Sequence, residues 1–197
     1  MPRFPRFSCL AAILLSLAGC TSMPVSSMYA LSKVDVMTSD LSRLRIALAT
    51  PAALRPRPGG VNMEVTIGQA GKAPEKKVIR LVETTDAADF VGLPASGQGG
   101  QSLHAYKMSR EGIAELEAVR REAAATRADK KKGSLGIGVA AKEFCLAGAL
   151  PDGALLASTW MATSETGGYV VIARDYDLRD DRQVAESIAT MDRCSGQ

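Results

Sequence analysis

Residues 61–67, VNMEVTI, alternate apolar and polar without a break, with Val61, Met63, Val65 and Ile67 on one side and Asn62, Glu64 and Thr66 on the other. Side chains of a strand point to opposite faces with a period of two, so this stretch fits a sheet with one buried face and fits no helix. The same period recurs in RLRIALAT (43–50), where Leu44, Ile46 and Leu48 share a face and Pro51 ends the run. Residues 78–83 and 103–108 repeat it, as do SLGIGVAA (134–141), LLASTWMATS (155–164) and YVVIARDY (169–176). The last two flank ETGG (165–168), whose glycines suit a hairpin turn.

Two stretches carry a helical period instead. In 110–132, Ile113, Leu116, Val119 and Ala123 form one narrow stripe, with Ser109 placed to cap and Gly133 to stop the helix. Its remaining face, with Glu117 and Arg121 spaced as a weak pair, is expected to be solvated. In 181–193, Val184, Ile188 and Met191 form the stripe, and Asp180 and Gln183 have capping-box spacing. Strands, helix, strands, helix, joined by hairpins rather than β-α-β units, predict an α+β fold. Its mainly antiparallel sheet would have about six to seven strands with two helices packed on it.

The first twenty residues read differently. Arg3 and Arg6 are their only charges, an apolar run covers 10–17, and Leu17-Ala18-Gly19-Cys20 follows. A run of about 8 apolar residues is short of the roughly 20 that cross a bilayer, so it suits a cleaved secretory signal rather than a span. The four residues resemble the lipobox of bacterial lipoproteins. That resemblance implies removal of residues 1–19, a diacylglyceryl group on the Cys20 sulfur and an acyl group on its new amino terminus, hence a stable membrane anchor. With Thr21 rather than Asp after the cysteine, it implies sorting to the outer membrane rather than retention at the inner one. Residues 20–40 are then expected to be lipidated N-terminus and tether, with YAL (29–31) a possible extra strand, and 41–197 a single globular domain.

Loss of residues 1–19 lowers Lys and Arg from 24 to 22 against 21 Asp and Glu, so the formal net charge falls from +3 to +1. A near-neutral chain lacks the basic face that nucleic-acid binding draws on, and no nucleic-acid partner is expected. Of the four cysteines, Cys9 leaves with the signal and Cys20 is lipidated. Cys145 and Cys194 remain as the pair available for a disulfide in an exported protein, with two buried free thiols as the alternative.

No stretch carries a complete catalytic or cofactor motif. GIGVAA (136–141) has the spacing of a dinucleotide turn, but it lacks the preceding strand and following helix, and Leu135, Ile137 and Val139 alternate through it. It is expected to be a strand whose glycines allow close approach on the opposite face, and no cofactor or nucleotide is expected. GQAGK (68–72) fails the phosphate-loop spacing. His104 is the only histidine, which leaves no metal site of the usual kind; as a base for Ser96 or Ser102 it would define a hydrolase, without a supporting nucleophile elbow. The carboxylate pairs 175/177 and 180/181 lack the oxygen-ligand spacing of a calcium loop.

Two loops are the better candidates for binding a partner. Residues 85–101 are long for a connection in a compact domain, and Phe90, Val91 and Leu93 give an apolar tip that either enters a partner's groove or folds back on its own core. RPRP (55–58) is stiff and basic, so Arg55 and Arg57 either touch anionic headgroups or form a solvated turn. The expected function is that of a lipid-anchored envelope lipoprotein. Its non-enzymatic binding or accessory domain would engage the membrane through Cys20 and an unidentified envelope protein. The alternatives are an auxiliary or solute-binding subunit of an envelope transport system and the His104 hydrolase.

Overall fold

The computed structural model describes residues 23–69, 71, 73–95, 98–128 and 133–195. Among these residues nine strands and three α-helices follow one another as α1 (Val25–Leu31), β1 (Arg45–Pro51), β2 (Leu54–Pro56), β3 (Val61–Gln69), β4 (Glu75–Thr84), β5 (Gln101–Met108), α2 (Arg110–Ala128), β6 (Gly133–Ala141), β7 (Phe144–Leu146), β8 (Leu156–Ala162), β9 (Val170–Asp177) and α3 (Arg182–Ile188). Seven strands form one antiparallel sheet in the order β6-β3-β4-β5-β1-β8-β9, and β2 pairs with β7 in a separate two-stranded ribbon. The α+β architecture expected from the alternation is the one observed.

Register explains which side chains meet. Ile46 lies opposite Tyr106 and Met161, Leu81 opposite Met108, Met63 opposite Ile79 and Val139. These residues share one face, and Ile46, Met63 and Ile79 are almost fully buried there. The sheet is curled toward that face. Its two ends in hydrogen-bonding order, β6 and β9, line the same two cavities, with Val139 common to both.

Helices α2 and α3 bury their apolar side on this concave face, whereas α1 contributes Leu31 and leaves Met28 and Tyr29 exposed. In α2, Ser109 caps as expected, its hydroxyl accepting from Gly112 N at 3.0 Å, and Leu116 and Val119 enter the core. Gly112 is needed for the approach, because a Cβ there would stand 3.1 Å from both Arg80 O and Ile79 Cγ2. The expected solvated face is interrupted by Arg120, which is 7% exposed. Its guanidinium donates to Val36 O and Ser39 O, each at 2.7 Å, and pairs with Glu117 at 2.9 Å in place of the expected Arg121. Arg120 follows Leu116 by four residues, so it sits on the buried stripe by period alone.

Residues 23–40 differ from a tether. Residues 29–31 continue helix α1 rather than adding a strand, and Leu31 packs on the core. Arg120 then fastens the chain that follows α1 to α2. In α3 the cap is Asp181 rather than Asp180: its carboxylate accepts from Val184 N at 3.1 Å. The helix ends at Ile188, earlier than its apolar stripe, because residues 192–194 leave to pair with β7. Val184 is buried, and Ile188 and Met191 pack beside it.

SLGIGVAA is strand β6, with Leu135, Ile137 and Val139 turned to the core. Its glycines do not serve close packing. A Cβ at Gly138 would meet nothing within 4 Å, and one at Gly136 only Thr66 Cβ at 4.0 Å, because both glycines lie on an exposed face of the strand. The ETGG hairpin forms as expected, with Gly167 at φ +66° and the Thr166 hydroxyl bonded to Gly168 O at 2.8 Å.

Candidate functional site

β5 places His104 and Tyr106 on the concave face, and β4 places Glu83 beside them, opposite Tyr106. His104 Nδ1 and Glu83 Oε1 are 2.7 Å apart. This bond is the largest influence holding the Glu83 carboxyl below its usual range, against the opposing effect of burial, with the charges of His104 and Arg55 adding to it. An ionised carboxylate only accepts, so Nδ1 carries the shared proton. Nε2, the atom a hydrolase would use as its base, is buried and has no hydrogen-bond partner among the described residues, so it makes no hydrogen-bond contact with Ser102. Ser96 lies outside the described residues.

The Tyr106 hydroxyl is buried and has no partner among the described residues either, and burial pushes its pKa well up. A hydroxyl without a partner costs desolvation and returns nothing, so Tyr106→Phe is expected to leave stability unchanged or raise it by about 1 kcal/mol. Urea unfolding checks this. A loss above that size would mean the hydroxyl is hydrogen-bonded in solution.

The long loop folds back rather than projecting a three-residue apolar tip. Asp86 caps a turn of 3-10 helix at Ala87–Phe90, its carboxylate accepting from Ala88 N at 3.0 Å. Asp89 points inward and accepts from Arg45 Nε and from the Thr84 hydroxyl, the latter at 2.8 Å. Tyr169 donates to Asp89 O at 2.7 Å, tying the β8-β9 hairpin to the same point. Burial pushes the Asp89 carboxyl up, but the bonds from Arg45 and Thr84 outweigh it and the net displacement is downward. Pro94 and Ala95 lie with Ala49, Leu103 and Trp160 around a cleft on the convex face, so the loop roofs the small residues of β1. Phe90 and Leu93 are half-buried in this arrangement, and only Val91, 75% exposed, is presented to solvent.

RPRP is not a free turn. Its first residues form β2, with Arg55 opposite Cys145 and the buried Pro56 opposite Phe144. Arg57 Nε donates to Phe144 O at 3.1 Å, and its guanidinium lies 3.6 Å from Asp192. Arg57 is therefore engaged within the domain, while Arg55 stays exposed. Cys145 and Cys194 form a disulfide, flanked by hydrogen bonds from Cys194 N to Leu146 O and Leu146 N to Asp192 O, each 2.9 Å. Cys145 lies on β7, which Lys142 and Glu143 separate from β6.

Between the edges β6 and β9, under the segment that contains α1, lies a cavity of about 230 Å3. Its walls include Ile46, Met63, Ile137 and Ile172, and Leu31 and Met23 come from the N-terminal segment. Among the described residues every side chain lining it is apolar. No single stretch of sequence signals this cavity, because its walls come from five strands and the N-terminal segment. A second cavity of about 400 Å3 continues past Val139 and is mixed in character, with Glu64 bonded to Lys142 at 2.6 Å on one side and Tyr176 on the other. Among the described residues no cluster of His, Cys, Asp or Glu could hold a metal ion, and no helix is long and apolar enough to cross a membrane. Cys20 lies outside the described residues. No protein-family model, curated protein or solved structure matches this chain.

Proposed function

We propose that this chain is a cell-envelope lipoprotein, anchored through Cys20, whose α+β domain acts as a non-catalytic binding module. The observation that carries this reading is the Cys145–Cys194 disulfide in a chain whose first twenty residues end in the lipobox-like Leu17-Ala18-Gly19-Cys20. A disulfide of this kind belongs to an oxidising compartment, and an export signal ending in Leu-Ala-Gly-Cys delivers the chain to one. Thr21 favours the outer membrane. Binding rather than catalysis is favoured because the apolar cavity between β6 and β9 is lined by no titratable side chain among the described residues, while the one histidine is committed to Glu83.

Mass spectrometry of the N-terminal peptide from membrane fractions tests the anchor. The expected result is a chain beginning at Cys20 with acyl mass added, and a Cys20→Ala variant released from the membrane or left uncleaved. An unmodified Cys20, or full membrane retention of a correctly processed Cys20→Ala chain, overturns the reading.

A further inference from the structure

The 230 Å3 cavity is larger than the roughly 150 Å3 engineered protein cavities that stay dry and take up benzene. Among the described residues its lining side chains are all apolar, so it has room for hydrocarbon and no charged side chain with which to hold a polar headgroup. A free lipid entering it would find no partner for its charged end. A hydrocarbon chain already attached to the protein needs no such recognition.

The covalent chain supplies one. Met23 lines the cavity and lies three residues after Cys20, and three residues of backbone span at most about 11 Å. Any acyl group on Cys20 is therefore attached within about 11 Å of Met23, and so short a linkage makes its entry an intramolecular event that outcompetes free lipid. Resting on the lipoprotein reading above, we infer that one of the acyl chains carried by Cys20 occupies the cavity between β6 and β9 while the others insert in the bilayer. The domain is then held close against the membrane with α1 beside it, and the two open sheet edges are sealed by the protein's own lipid.

The test feeds cells a diazirine-bearing fatty acid, purifies the full lipidated chain in detergent, irradiates it and maps crosslinked peptides. The expected result is a crosslink in the peptides that carry Ile137, Val139 or Ile172. An Ile137→Trp variant, which fills the cavity from the edge strand and leaves the deep core intact, is expected to lose that crosslink by about tenfold or more. Thermal unfolding of the variant, compared with the parent, establishes that it is folded. If Cys20 is acylated but crosslinks fall only on detergent, copurified lipid or another protein, the inference is overturned. It is equally overturned if the same crosslinks persist in a folded Ile137→Trp chain. An unacylated Cys20 instead overturns the function proposed above, so the two failures are told apart by the same mass spectra.

Discussion

Replacing Cys145 and Cys194 together with alanine is expected to lower the unfolding free energy by about 4 kcal/mol. The bond closes a loop with a sequence separation of 49, and in the chain-entropy model a loop of that length restricts the unfolded ensemble by about that amount. The native side of the comparison is favourable too, because hydrogen bonds between Leu146 and residues 192 and 194 hold both cysteines in place without the bond. The loss should therefore appear chiefly as a shifted urea midpoint, and the reduced wild-type protein should match the double variant. If reduction changes the midpoint by less than about 1 kcal/mol equivalent, the denatured chain retains structure across this loop and the entropic account fails. The segment expected to loosen first is the stretch after α3, which makes few core contacts beyond Met191.

Asp89→Ala is expected to cost about 3 kcal/mol, more than any nearby surface change. Its carboxylate, largely buried, receives Arg45 and Thr84, so its removal leaves a cation and a hydroxyl without their partner in a partly enclosed site. The same change frees the loop that roofs Ala49 and Trp160 and slackens the Tyr169 contact. A pH dependence accompanies it. The folded-state carboxyl is held below its unfolded value, so the unfolded chain binds the extra proton as acid is added. The contribution is complete above the unfolded pKa of about 3.9 and disappears as pH falls through the lower folded value. Urea titrations from pH 7 to pH 2 on the parent and on Asp89→Ala should therefore converge at the acid end. Parallel curves over that range would show that Asp89 is not the group responsible.

Much of the sheet was legible because a period of two leaves little freedom. A strand such as 61–67, shifted by one residue, would turn Val61, Met63, Val65 and Ile67 to solvent, so face and register follow from residue order. The helices were legible for the same reason at a longer period, and their ends less so. Asp180 and Asp181 are chemically alike, and only the direction in which the chain leaves β9 decides which one caps α3. The short ribbon was hidden. RPRP has the composition of a turn, and β2 is a strand only because residues 144–146 come to lie beside it; Pro56, lacking an N–H, stands at its last position.

Residue order alone determined the alternating strands, the two long amphipathic patterns, the pairing partner available to Cys145 and the lipobox-like end of the first twenty residues. These are local or combinatorial properties, each legible within a few turns of chain or by elimination among four cysteines. The tertiary structure decided the rest. Arg120 is a buried clamp rather than a solvated charge because residues 36 and 39 bring carbonyls to it. The 85–95 loop is a roof rather than a probe because Asp89 meets an arginine from β1. The apolar cavity exists because a curled seven-stranded sheet carries β6 around to face β9, across the intervening residues 142–169. Contacts between segments far apart in sequence leave no period to read, and they are where the candidate binding site lies.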